Sequence, residues 1–302
     1  MTWAPKQLIE GGMPQKLGFY DRGATPYFAS RMDPRLSYCL YVPKGYDETG
    51  SDTYALAIVV HGTARWAEAY RNDFAAFAED TRTIILAPLF AAGMTEPKEL
   101  SSYKFMRRGG ISYDLVLLDM VDEVAERYRL RSNRFLLHGF SGGGHFAHRF
   151  LYLHPERLLG VSIGAPGIVT LLDFEHDYWV GVRNFNAVFQ KNIDLDVMRR
   201  VHVHMVVGAQ DTETWEIRLQ PGDALWMDGA ERLAETNRIQ RIAALRESFE
   251  AHGIAALRES FEAHGIAVHQ DIVPAAAHDG RLMLDPVRTW FRQVMSTERA
   301  SA

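Results

Sequence analysis

A serine hydroxyl becomes a nucleophile at neutral pH only when a base lies within hydrogen-bond reach and an acceptor fixes the tautomer of that base. The 302-residue chain offers one serine in a setting suited to that use. Arg134 to Phe140 has the pattern of an apolar strand, and Gly139-Phe140-Ser141-Gly142-Gly143 leads from it into a helical pattern. Gly-x-Ser-x-Gly at such a junction predicts a sharp strand-to-helix turn with the serine exposed at its tip. Gly139 and Gly143 flank Ser141 because neighbours without side chains tolerate the backbone angles of so tight a turn. A glycine-rich turn with a bystander serine has the same local pattern, so the partners have to come from elsewhere in the chain.

His278 is the candidate base. It follows an apolar strand ending at Val273 and sits in the small-residue loop Ala277-His278-Asp279-Gly280. Asp211 is the candidate acid, placed after the strand Val201 to Val207 and the turn Gly208-Ala209-Gln210, with Glu213 and Asp173 as weaker substitutes. The order serine, acid, histidine along the chain is the one expected when a Gly-x-Ser-x-Gly turn carries the nucleophile. An oxyanion needs two fixed backbone donors. Gly142, the residue after the serine, supplies one, and Thr63, in His61-Gly62-Thr63-Ala64 after an earlier strand, supplies the other, with Ala64 as its alternate. Trp66, Tyr70, Tyr178, Trp179 and Trp215 are candidate pocket walls or, equally well, packing residues. His145 with His148, and His202 with His204, have the spacing of metal pairs, but neither pair has a third ligand at a supporting distance in sequence, so no metal or cofactor is expected. His138 reads as a packed strand residue.

The elements that must position these groups alternate between strand and helix. Strands are expected at 36–43, 54–62, 83–88, 134–140, 159–164, 201–207 and 267–273, the second so continuously apolar that it reads as buried on both faces. Helices are expected within 63–80, with Tyr70, Phe74, Phe77 and Ala78 on one stripe, at 113–129 with Ser112 as N-cap, from the serine turn to Leu153, and at 285–296. His154-Pro155 should stop the helix that follows the serine. The first 30 residues have no clear period and predict an irregular arm or short edge strands. Residues 166–200, with Phe174, Tyr178, Trp179, Phe185 and Phe189, are too long and too aromatic for a plain crossover and predict a small lid or pocket-lining insertion. The alternation predicts a single α/β domain over 1–302, with a mostly parallel sheet covered by helices on both faces.

Composition narrows the function classes. An apolar content of 47% supports a sizeable core, and a formal charge of -5 with scattered Lys and Arg leaves no footprint for nucleic acid or an anionic membrane. Cys39 is the only cysteine and lies in an alternating strand, which predicts a buried thiol and a reducing compartment. The segment Met1 to Lys6 lacks the apolar stretch of a secretory signal, and no run reaches the length of a membrane span, so the expectation is a soluble cytoplasmic protein.

One feature is unusual. Residues 242–253 recur unchanged as residues 254–265, a tandem copy in the helix expected before the last strand. Twelve helical residues add about 18 Å and turn the apolar face by roughly 120°, so both copies cannot present Ile, Leu and Phe to one groove. Either the second copy keeps its place beside the last strand and displaces the first, or one copy loops out or the helix breaks at Gly253. A tolerated duplication costs little in a surface segment. The sharper expectation is that a displaced face of Ile242, Leu245 and Phe249 joins a second copy of the chain as a homo-oligomer.

From about Leu36 to Met295 the sequence resembles the α/β-hydrolase superfamily, and Tyr41-Val42-Pro43-Lys44-Gly45-Tyr46 leading into Val59-Val60-His61-Gly62 resembles its esterase and polyhydroxybutyrate-depolymerase-like branch. That resemblance implies Ser141 as nucleophile, Asp211 as acid, His278 as base, and Thr63 with Gly142 as oxyanion hole. The run Ser141-Gly142-Gly143-Gly144 departs from the branch's more common Ser-x-Gly-Gly, and the depolymerases' usual signal peptide and disulfides are lacking. The expected function is hydrolysis of a small carboxylic ester through an acyl-enzyme. Amide or peptide cleavage and acyl transfer use the same machinery, and a non-catalytic binding protein on the same fold is the alternative of another class.

Overall fold

The computed structural model describes residues 16–253 and 269–300. By contact density the chain divides into a unit ending at Leu136 and a unit beginning at Leu137.

In the first unit β1 (Gly23–Ala29) pairs antiparallel with β2 (Ser37–Val42), β2 pairs antiparallel with β4 (Thr83–Leu89), and β4 pairs parallel with β3 (Ala55–Val60). Every residue of β3 is buried, as its unbroken apolar run predicts. β1 gives form to a stretch whose sequence shows no period. Its pairing with β2 shifts register between Ala24 and Tyr27, and that irregularity blurs the alternation. Cys39 is fully buried in β2, and burial pushes its thiol up to about 11.

The stripe read within 63–80 forms two helices, α1 (Ala67–Asp73) and α2 (Ala75–Thr81), which break at Phe74 (φ -99°, ψ 4°). α3 (Tyr113–Arg127) starts where expected, with Ser112 in an extended conformation. The Ser112 hydroxyl makes no capping hydrogen bond, so the N-cap role read for it is corrected.

The second unit carries β5 (Phe135–Phe140, which straddles the division), α4 (Gly142–Leu153), β6 (Leu158–Gly164), α5 (Phe185–Phe189), α6 (Leu195–Met198), β7 (His202–Gly208), α7 (Glu231–Ala234), α8 (Arg238–Glu250), β8 (His269–Val273) and α9 (Leu284–Ala300). β6, β7 and β8 pair in parallel. The strand order is β1-β2-β4-β3 in the first unit, parallel from β4 to β3, and β5-β6-β7-β8 in the second, parallel from β6 to β8. α4 ends at Leu153, where His154-Pro155 stops it. α4 packs on β6, α8 on β7, and α9 on both.

Residues 166–200 fold around their own aromatics. The Phe185 and Phe189 ring centroids lie 4.5 Å apart, and Tyr178 meets Phe189 at 4.9 Å. The segment leading into them is held by α4. His145 Nε2 accepts the amide of Ile168, His148 Nε2 accepts that of Thr170, Arg149 donates to the Thr170 hydroxyl, and the Tyr152 hydroxyl donates to the Thr170 carbonyl. Both α4 histidines are therefore engaged in anchoring a loop. Burial holds His148 well below the usual histidine range, as a neutral acceptor requires.

The first copy of the duplicated sequence lies in α8 and the turn that follows it. Ile242, Leu245 and Phe249 of the first copy are buried within their own chain, so the face expected to seek a second subunit is already covered. α8 ends at Glu250, and Gly253 follows at φ 69°, so the helix stops at the glycine that closes the first copy. The second copy, 254–265, and the start of the strand read at 267 lie outside the described residues.

Two outcomes follow. Phe249→Ala, which removes a ring buried against Tyr152 at 5.9 Å, is expected to lower stability by about 3–5 kcal/mol in urea unfolding. Deleting one copy is expected to leave the number of chains per particle unchanged in light scattering, because Ile242, Leu245 and Phe249 are already covered within the chain.

Candidate active site

Ser141 has φ 56° and ψ -115°, a conformation that costs a non-glycine residue on the order of 1–3 kcal/mol. The turn is held from both sides. The Ser141 amide donates to the Gly164 carbonyl at 2.8 Å, and the His145 amide donates to the Ser141 carbonyl at 3.1 Å. Gly139 is required by close approach, since a Cβ there would lie 2.1 Å from the Gly143 carbonyl oxygen. The two glycines that flank the serine are thus packed backbone to backbone. Gly142 is the buried first residue of α4.

Asp211 and His278 meet because the turns that carry them are laced together. After β7 the Ala209 amide donates to Val273 at 2.9 Å and the Gln210 amide to Ala276 at 2.8 Å. Gly208 permits the approach, because a Cβ on it would sit 2.3 Å from the Ala276 carbonyl oxygen. His278 Nδ1 then donates to Asp211 Oδ2 at 2.6 Å, with the Asp211 side chain wholly buried and the His278 side chain a quarter exposed. With Nδ1 engaged in this way, Nε2 is the nitrogen left for proton transfer. The His278 ring also lies on Phe140, the residue before Ser141, at 4.8 Å and 31°. Asp173, a substitute acid, pairs instead with His176 at 2.8 Å and Arg232 at 2.6 Å, and Glu213 offers only its carbonyl, to Arg238.

Arg238 was not singled out from the sequence. It is the first residue of α8, nearly fully buried, and its guanidinium reaches Asp211 Oδ1 at 3.3 Å, the Glu213 carbonyl at 3.3 Å and Glu216 Oε2 at 2.9 Å. The capping box of Asn237 and Gln240 fixes where α8 starts and hence where Arg238 stands. That Asn-x-x-Gln spacing was the available signal; the contact to a residue 27 positions earlier was not visible.

In the first unit Thr63 is half-buried after β3, and its carbonyl accepts from the Arg65 guanidinium. His61 fixes that loop. Its Nδ1 donates to the Gly62 carbonyl at 2.8 Å and its Nε2 accepts the Phe90 amide at 3.0 Å, while burial pushes the ring down to about 3. Among the pocket candidates, Trp66 and Trp215 are exposed (66% and 73%), Tyr70 is half-buried, Tyr178 belongs to the aromatic cluster, and Trp179 is buried with its indole N–H on the Leu225 carbonyl at 2.9 Å. An open groove of about 710 Å³ bounded by Glu156, Lys191, Asp194 and Arg199 includes none of these residues.

A second Ser–His–Asp chain crosses the sheet interior. His138 Nδ1 lies 3.1 Å from Ser162 Oγ, Ser162 Oγ 2.9 Å from His204 Nδ1, and His204 Nε2 3.2 Å from Asp271 Oδ2. Ser162 and His204 have no exposed surface, Ser162 lies inside β6, and His204 stacks on Trp290 at 5.1 Å. Burial lowers His204 and pushes His138 down to about 3. A substrate cannot reach a hydroxyl so placed, so this chain serves as internal hydrogen bonding for buried polar groups. Among the described residues no cluster of His, Cys, Asp and Glu is arranged to hold a metal ion, and no helix is long and apolar enough to cross a membrane.

Comparison with solved structures identifies the architecture. A poly(aspartic acid) hydrolase-1 from Sphingomonas sp. KT-1 superposes with a TM-score of 0.62 at 20% identity, covering 84% of this chain and 92% of that one. A poly(3-hydroxybutyrate) depolymerase from Bordetella parapertussis gives 0.62 at 22% identity, covering 85% and 84%. The chain has the α/β-hydrolase fold. A ferulic acid esterase is similar at a TM-score of 0.57 and 12% identity, covering 90% of this chain and 96% of that one. Neither the protein-family models nor the curated protein sequences gave a match.

The backbone contact under the serine turn yields a direct test. Gly139→Ala should lower thermal stability by about 3 kcal/mol, because the clash is with backbone and no side-chain rotamer relieves it. A melt unchanged from the parent would contradict the packing described.

Proposed function

We propose that the chain is a serine hydrolase that cleaves a carboxylic ester through an acyl-enzyme. The observation that carries this reading is the 2.6 Å hydrogen bond from His278 to the buried Asp211, on a loop whose histidine ring lies against the residue preceding a strained Ser141. Ser141 Oγ attacks the ester carbonyl while His278 Nε2 takes its proton, and Asp211 holds the imidazole by Nδ1 and balances its charge once it is protonated. The Gly142 amide, next to the nucleophile, receives the oxyanion. The imidazolium returns its proton to the departing alkoxide, water repeats the sequence on the acyl-enzyme, and no cofactor is called for.

Trp215 is assigned to substrate contact. It is exposed four residues beyond Asp211, between Glu213 and Glu216, which Arg238 ties down. Residues 166–200 are assigned to the pocket as a lid-like cover, and a panel of p-nitrophenyl esters of increasing acyl length with an anilide control reads the preference for chain length and for ester over amide. The two neighbours named for polymers make a polymeric substrate a further arm of that panel. A cytoplasmic setting belongs to the same proposal and rests on Cys39, the single cysteine, held as a buried thiol.

The two Ser–His–Asp sets make the test specific. Ser141→Ala is expected to reduce kcat by about 10⁴- to 10⁶-fold, whereas Ser162→Ala should keep kcat within a factor of about 3 of the parent, since its hydroxyl only joins buried histidines. A fluorophosphonate probe should label the parent stoichiometrically at Ser141. Absence of labelling would favour a binding protein on a hydrolase fold, and labelling at Ser162 would overturn the assignment of the nucleophile.

A further inference from the structure

A wholly buried carboxylate is costly to keep ionised unless a cation and hydrogen-bond donors compensate it. Among the described residues the Asp211 carboxylate has two partners, one on each oxygen: His278 on Oδ2 and Arg238 on Oδ1. During turnover His278 changes charge, so it cannot serve as the permanent counter-ion. Arg238 can, because guanidinium does not deprotonate under working conditions and here lies nearly fully buried beside the acid.

We infer that Arg238 is a positioning residue of the catalytic machinery: the fixed cation that stabilises charged Asp211 and, through Asp211, sets the pH range over which His278 acts as base. This rests on the serine-hydrolase reading above and adds a residue to it. The guanidinium is shared with Glu216, whose side chain is about half exposed. Arg238 therefore connects the buried acid to a surface carboxylate, and the Asp211–His278 pair senses the +1 at Arg238 together with the -1 at Glu216 behind it.

Two further charged groups flank the pair. Asp279, beside His278, is occupied in accepting the Arg281 amide at 2.9 Å. Arg241, one turn along α8, is a second buried cation whose charge acts on Arg238 and is the same in every variant below, with its guanidinium directed to the Gly167, Ile217 and Leu233 carbonyls. Phe140, which covers the His278 ring, is uncharged.

The sign follows from electrostatics. Removing a positive charge beside the Asp211–His278 pair makes its last proton harder to lose, so the acid limb of the kcat/KM profile moves to higher pH. Removing a negative charge on the far side of Arg238 moves it the other way. The profile reports the pair as a unit.

The experiment measures kcat/KM for p-nitrophenyl butyrate from pH 4 to 9, on about half-unit steps, for the parent, Arg238→Met, Arg238→Lys and Glu216→Gln. Arg238→Met is expected to raise the acid limb by on the order of one pH unit, and Arg238→Lys to restore most of the parent profile. Glu216→Gln is expected to lower the limb by a few tenths of a unit, because the group is half exposed and screened. An unmoved limb in Arg238→Met with reduced kcat/KM, or shifts of the same sign in the Arg238→Met and Glu216→Gln variants, overturns the inference and leaves Arg238 as packing. If Arg238→Met does not fold, the sign of the Glu216→Gln shift decides, since that side chain is at the surface. Failure of the underlying reading looks different: the parent then fails to react with the fluorophosphonate probe at all.

Discussion

Asp211 has no solvent-exposed side-chain surface, and a charge in that position constrains much of the second unit. Water cannot solvate it, so donors have to be brought to it and held. One is His278, delivered by backbone bonds that lace the turn after β7 to the turn after β8. The other is Arg238, delivered by a helix whose first residue is fixed by a capping box. The chemistry assigned to Ser141 thus depends on a buried charge whose two neighbours come from separate stretches of chain, each anchored by its own local interactions.

The second Ser–His–Asp chain shows how little connectivity alone says about reactivity. Ser162, His204 and Asp271 are hydrogen-bonded in sequence, as a relay would be. What separates them from Ser141, Asp211 and His278 is backbone and access. Ser162 lies within a regular buried strand, while Ser141 has the positive φ that a strand-to-helix corner demands. A nucleophile has to be presented to a substrate, and a pleated strand covered by Trp290 presents nothing.

Much of the architecture was legible because it is written in short-range patterns. Apolar runs mark β3 and β5, His154-Pro155 marks the end of α4, and glycines mark the serine corner. Strand ends after β7 and β8 carry Asp211 and His278, so their proximity could be read from topology. What stayed hidden depends on contacts remote in sequence. Nothing local links Arg238 to Asp211, and the engagement of His145, His148 and Arg149 depends on the 165–170 loop coming to meet them. The break at Phe74 and the absent Ser112 cap bond are local, and the helical stripe and the Ser-before-helix pattern do not register them.

The tandem copy poses a puzzle of identity: two indistinguishable dodecamers compete for a single groove. Their neighbours in sequence tell them apart. A slip by one repeat would bring Glu250 to the place of Arg238 and Gly253 to the place of Arg241, setting a carboxylate beside the buried Asp211 and withdrawing the guanidinium that ties three carbonyls together. Arg238 and Arg241 lie outside the repeat, so their contacts mark the copy that directly follows them. The duplication thus repeats the apolar face that packs on β7 but not the two buried cations that precede it.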